Sequence, residues 1–156
     1  SKLVRGGLVL LAEDHPANQM VAELQLSELG FSTHIVSNGR EALEAVRTNR
    51  YDLILMDCQM PEMDGYEATG EIRKMEIATG IRTPIIAMTA HAMVGDKDAC
   101  LAAGMDDYIS KPVELEALRR VLAQWLPSEL KLLPFDLDSE ESEYEGEMVS
   151  PTTADA

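Results

Sequence analysis

An open sheet of five parallel strands, wrapped by helices on both faces, is the fold that this 156-residue sequence predicts. Three observations carry the prediction. Short apolar runs alternate with helical patterns five times along the chain, the signature of βα units rather than of hairpins. Runs such as Leu53-Ile54-Leu55-Met56 have no polar face, as befits strands covered on both sides. Finally, Glu13-Asp14, Asp57, Thr89 and Lys111 each stand where an apolar run ends. Open parallel sheets bind their ligands at the carboxyl ends of the strands.

The elements follow in order. Leu8–Ala12 is the first strand. Pro16 suits the first turn of a helix, where its missing N–H loses no hydrogen bond, and that helix runs to about Leu29 and stops at Gly30. Residues 31–36 form the second strand, Gly39–Thr48 the second helix and residues 53–56 the third strand. A loop with Pro61 and Gly65 leads to a third helix from about Tyr66 to Met75. Gly70 falls inside that helix at a cost of about 1 kcal/mol relative to alanine, with no functional reason evident. Residues 85–88 are the fourth strand, Val94–Ala103 the fourth helix with Gly104 as its stop, and Asp107–Ser110 a short fifth strand. Residues 114–125 close the domain before Pro127. Five units of this size match the doubly wound, flavodoxin-like α/β order 2-1-3-4-5, whose switch point lies between the first and third strands. Those two strands carry Glu13-Asp14 and Asp57.

An acidic pair, a lone aspartate, a hydroxyl and a lysine that converge on one point make a site for a divalent metal and a phosphoryl group. Two like charges ~4 Å apart cost about 4 kcal/mol at an effective dielectric of roughly 20. Three carboxylates therefore need a cation, and hard oxygen donors select Mg²⁺.

Four segments, in this order, resemble the receiver (response-regulator) domain of two-component signalling, in particular the receivers of hybrid sensor histidine kinases. They are Leu11-Ala12-Glu13-Asp14-His15-Pro16-Ala17-Asn18-Gln19, the run from Met56 through Asp57-Cys58-Gln59-Met60-Pro61 to Thr69, Thr83-Pro84-Ile85-Ile86-Ala87-Met88-Thr89-Ala90, and Gly104-Met105-Asp106-Asp107-Tyr108-Ile109-Ser110-Lys111-Pro112. The resemblance covers roughly residues 7–126 and implies a role for each matching position. Asp57 would accept a phosphoryl group from phosphohistidine, with Asp14, Asp57 and the backbone carbonyl of Gln59 holding Mg²⁺ and Glu13 acting directly or through water. Glu13, rather than aspartate, departs from many receivers but is similar to the hybrid-kinase subset. Lys111 would pair first with Asp57 and then with the phosphoryl oxygens. Thr89 would bond an oxygen of the acyl phosphate and, with Tyr108 rotating into the space it vacates, act as a switch. Gln59 and His91 would tune the lifetime of the phosphate, and the Lys111-Pro112 bond would be cis.

Composition bounds the rest. The net charge of −15 divides into −7 over residues 1–126 and −8 over residues 127–156, so the end of the chain reads as an acidic tail or linker. Its later part has the composition of disorder, while Leu130, Leu132, Leu133, Phe135 and Leu137 give it an apolar patch. Residues 1–6 read as an extension or linker. No basic stripe is present, so nucleic-acid binding is not expected. No apolar run approaches the roughly 18–20 residues of a membrane span, so no direct membrane contact is expected. Cys58 and Cys100 lack metal spacing and suggest a reducing compartment, the cytoplasm by default, with any parent kinase free to be membrane-anchored. Six methionines near the site read as packing rather than metal ligands. The expected partners are a histidine-kinase dimerisation domain upstream and a histidine phosphotransfer domain downstream, with phosphorylation-dependent self-association open. The rival readings are a docking module of the same fold that works unphosphorylated, and a metal-dependent phosphohydrolase. Asp57-Cys58-Gln59 in place of an Asp-x-Asp pair argues against the latter.

Overall fold

The computed structural model describes residues 7–90 and 94–126. The elements alternate strictly: β1 (Leu8–Ala12), α1 (Pro16–Glu28), β2 (Ser32–Val36), α2 (Gly39–Thr48), β3 (Leu53–Asp57), α3 (Gly65–Thr79), β4 (Ile85–Thr89), α4 (Val94–Ala103), β5 (Asp107–Ser110) and α5 (Leu115–Trp125). All strand pairs are parallel, in the order β2-β1-β3-β4-β5. The predicted topology is the observed one.

Every residue of β3 and β4 is buried. Successive side chains of a strand point to opposite faces, and the core divides accordingly. Leu10, Ile54, Met56, Ile85 and Ala87 pack with Ala42, Ala68, Ile72 and Cys100 of α2, α3 and α4. Val9, Leu11, Leu53, Leu55, Ile86 and Met88 pack with Leu26 of α1 and Leu118, Val121 and Leu122 of α5. Fully burying each such leucine or isoleucine contributes about 1.5–3 kcal/mol. The central strands are therefore packed on both faces up to their ends, and the site hangs from those ends.

Local chemistry sets the helix boundaries. Asn38 caps α2 by accepting from the Glu41 N–H at 2.8 Å, and Glu41 reaches back to the Ser37 N–H at 2.8 Å. Asp64 caps α3 through the Glu67 N–H. That helix runs four residues past the expected end, to Thr79. Gly80 stops it in the left-handed region, φ 73°, a conformation that glycine adopts without a Cβ penalty. Arg73 supports the extension. Its guanidinium bonds Glu76 at 2.7 Å, Asp106 at 2.8 Å and the Thr83 carbonyl at 2.8 Å, tying α3 to the chain just before β4 and β5. The other departures are of one residue: β3 and β4 each continue to their polar terminal residue, β2 and α5 begin one residue later, α1 ends one residue earlier and α3 begins one residue earlier. The Lys111-Pro112 bond is cis. No helix among the described residues is long and apolar enough to cross a membrane.

Candidate functional site

Asp57 is the last residue of β3 and is 4% exposed. The sheet register places it beside Met88, one position before Thr89 at the end of β4. Lys111, which follows β5, donates to Asp57 Oδ2 at 2.7 Å and lies 3.0 Å from Glu13 Oε1. Its ammonium thus bridges the ends of β1 and β3. Glu13, just past β1, is 1% exposed. Its Oε2 accepts the His15 N–H at 2.9 Å, and its backbone carbonyl accepts from the Gln19 side chain at 2.6 Å. Asp14 is more open, and its Oδ1 lies 3.1 Å from His15 Nδ1.

The electrostatics follow from this packing. Burial pushes the Asp57 carboxyl above the usual range, and the Glu13 charge adds to that push; the Lys111 and Gln59 hydrogen bonds oppose it without cancelling it. Burial pulls Lys111 down, but its hydrogen bonds to Asp57 and Glu13 prevail, leaving its pKa raised. The bond to Asp14 raises His15. Two carboxylates, those of Glu13 and Asp57, thus meet one ammonium, and Asp14 stands beside Glu13. That imbalance, with carboxylate oxygens as the main donors, fits a hard divalent cation. Ligand atoms of Glu13, Asp14 and His15 all lie within 4.8 Å of one another.

The remaining expected residues fall around this centre. Thr89 is 6% exposed, and its carbonyl accepts the Lys111 N–H at 2.8 Å. Tyr108, on β5 beside Ala87, is half-buried, with Lys97 of α4 5.9 Å from its ring centroid. The Gln59 N–H donates to Asp57 Oδ1 at 3.2 Å, so Gln59 sits on the rim. His91 lies outside the described residues, as do residues 1–6 and the acidic tail. Cys58 packs inward, 3.9 Å from the Cys100 sulfur, and burial pushes its thiol up to about 12. A thiol so protonated is inert.

Two contributors have no individual sequence signal. Gly39 opens α2 and donates to the Met63 carbonyl at 2.8 Å, pinning the loop after Asp57. On α1, Met20, Val21 and Leu24 are exposed. Val21 also lines, with Asn18, Pro112 and Val113, a groove that reaches Glu13 and Lys111.

The chain is similar to known proteins of one family. The family model described as "Response regulator receiver domain" matches residues 9–123. Sensor histidine kinase GacS of Pseudomonas protegens is 43% identical over 122 residues, covering 78% of this chain and 13% of the kinase. The chain thus spans a small fraction of the curated relatives it matches. The receiver domain of sensor histidine kinase PA1611 from Pseudomonas aeruginosa PAO1, solved with magnesium coordinated in its active-site cleft, is 48% identical with a TM-score of 0.70, covering 77% of this chain and 97% of that one. A second match lies in the co-crystal of a Saccharomyces cerevisiae histidine phosphotransfer signaling protein with the receiver domain of its downstream response regulator. Its TM-score is 0.74 at 34% identity, covering 80% of this chain and 91% of that one.

Proposed function

The chain belongs to the response regulator receiver domain family, and we propose that within a two-component phosphorelay it takes a phosphoryl group from phosphohistidine onto Asp57. The observation that carries this is the half-buried Lys111 bridge, 2.7 Å from Asp57 and 3.0 Å from Glu13. It leaves a carboxylate at a strand end, poised beside a positive charge and a second buried acid. In the transfer, a carboxylate oxygen of Asp57 forms an O–P bond as the P–N bond to the donor imidazole breaks. The electron pair stays on the imidazole nitrogen, which later takes up a proton from water.

Glu13, Asp14, Asp57 and the Gln59 carbonyl would hold Mg²⁺, whose charge offsets that of the incoming phosphoryl oxygens. Lys111 releases Asp57 and follows those oxygens, a task suited to a point charge on a flexible stem. Thr89 supplies a hydroxyl to the acyl phosphate, and Tyr108 moves into the space this opens, altering the surface between α4 and β5. Exposed Met20, Val21 and Leu24, continuous with the groove at Pro112 and Val113, give a partner helix an apolar seat next to the site. A histidine phosphotransfer domain or a kinase dimerisation domain fits that seat.

Incubation with Mg²⁺ and acetyl phosphate, followed by intact-mass measurement, tests the reading. Gain of one phosphoryl group by the wild type and none by Asp57→Asn is expected. Equal gain in both would place the acceptor elsewhere, and no gain even from a phosphorylated phosphotransfer domain would favour a docking module that never carries phosphate.

A further inference from the structure

We propose that His15 makes this metal site discriminate in favour of divalent ions that accept imidazole nitrogen, such as Zn²⁺ and Ni²⁺, over Mg²⁺; this rests on Glu13, Asp14 and Asp57 forming a cation site. The geometry comes first. Two ligands about 2.1 Å from one ion and at right angles to each other lie ~3.0 Å apart, and at the tetrahedral angle ~3.4 Å apart. His15 Nδ1 is 3.1 Å from Asp14 Oδ1 and 3.5 Å from Glu13 Oε2. His15 Nδ1 is thus spaced from each of the two carboxylates as along one edge of a coordination shell, and all three ligand atoms lie within 4.8 Å of one another.

The backbone at His15 is constrained to keep it there. Its N–H donates to Glu13 Oε2 at 2.9 Å, its carbonyl accepts the Gln19 N–H at 2.9 Å, and Pro16 follows at the first helical position. His15 occupies the N-cap of α1, yet its side chain makes no capping hydrogen bond. The ring is turned instead to the acids. It is 68% exposed, which leaves room for an ion to arrive with its remaining waters. Lys111 approaches Glu13 at Oε1, the oxygen that His15 does not face.

Chemistry supplies the selectivity. Mg²⁺ seeks oxygen donors and dehydrates reluctantly, so a nearby imidazole adds little to its binding. Zn²⁺ and Ni²⁺ take imidazole nitrogen readily. Such ions bind most mixed sites more tightly than Mg²⁺ in any case, so the change in the affinity ratio on removing His15 is the informative quantity.

Calorimetric titration of the full chain with Zn²⁺ and with Mg²⁺, in the wild type and in His15→Ala and His15→Asn, tests this. Zn²⁺ affinity is expected to fall about tenfold or more in both variants, with Mg²⁺ affinity within about twofold of wild type. In the wild type, the His15 ring nitrogen resonances are expected to shift on adding Zn²⁺ and to stay in place with Mg²⁺. An unchanged Zn²⁺ to Mg²⁺ ratio, equal loss of both affinities, or an unmoved ring signal overturns the inference. Asp14→Ala separates the two levels of the argument. Loss of Mg²⁺ affinity there, beside a His15→Ala of wild-type ratio, would overturn the selectivity alone; undiminished Mg²⁺ affinity there would overturn the underlying site.

Discussion

Lys111 decides the energetics at the scale of single residues, because it is the ammonium placed between two buried acids. The side chains of Glu13 and Asp57 are 2% and 5% exposed. Removing one partner of a buried pair costs roughly 3–5 kcal/mol, since the remaining charge stays uncompensated. Lys111→Ala is therefore expected to lower unfolding free energy by about 3 kcal/mol at neutral pH without Mg²⁺, measured by urea denaturation. Asp57→Asn, which removes a charge that burial disfavours, is expected to raise stability under the same conditions. The sign of the pH dependence follows from the raised Asp57 pKa. The folded state holds this proton more tightly than the unfolded chain, so the ionised group's penalty grows as pH climbs through the folded value and is absent below the ordinary carboxylate range. The gain from Asp57→Asn should therefore shrink on acidification; a gain that grows instead would contradict the assigned direction. Asp57, Thr89 and Lys111 were legible in the sequence because each terminates an apolar run. That Lys111 touches Glu13 as well as Asp57 was not, since spacing along a chain carries no distance across a sheet. Nor was the turn of His15 toward the acids.

Among the elements, the loop between β3 and α3 matters most, because it carries Gln59 and depends on a neighbour to hold its shape. A Cβ on Gly39 would lie 2.4 Å from the Met63 carbonyl oxygen, and one on Gly65 would lie 2.2 Å from the Asp57 carbonyl oxygen. Neither obstacle is a flexible side-chain end, so the backbone would have to move. Gly39→Ala is expected to push the first turn of α2 off the loop, displacing Gln59 and weakening Mg²⁺ binding several-fold with helix content retained. Gly70→Ala is the control, because nothing lies within 4 Å of its Cβ. It should gain about 1 kcal/mol of stability and leave Mg²⁺ affinity alone. Calorimetry and thermal unfolding read both, and equal Mg²⁺ affinity in the two variants would refute the clamp. The sequence shows Gly39 only as a helix opener; its contact with Met63 needs the tertiary structure. Strands β1, β3 and β4 were readable because two-sided burial writes continuous apolar runs, and the strand order followed from matching five βα units to the doubly wound fold. The end of α3 was misplaced because its final turn is held by Glu76, whose carboxylate accepts from Arg73 and from the Thr83 N–H beyond the helix, contacts that no periodicity shows.

Across the whole molecule, the phosphoryl chemistry proposed for one end of the sheet would have a built-in reporter at the other. Trp125 is the single tryptophan of the chain and the last residue of α5. Its indole N–H donates to Asp107 Oδ2 at 2.9 Å, and the other carboxylate oxygen of Asp107 accepts the Tyr108 N–H at 2.8 Å. Asp107 opens β5 and Lys111 follows its end, a separation of about 13 Å at ~3.3 Å per residue. Rotation of Tyr108 on phosphorylation would shift its backbone or its contact with Lys97, and Asp107 would transmit that shift to the indole. Trp125 emission is thus expected to change when acetyl phosphate is added with Mg²⁺, and to stay constant in Asp57→Asn. Tyr108→Ala should still gain phosphate by mass yet lose most of the emission change, because the ring that moves is gone. An emission change that survives in Tyr108→Ala would mean that the signal reaches α5 by another route, through Lys111 and the turn that follows it.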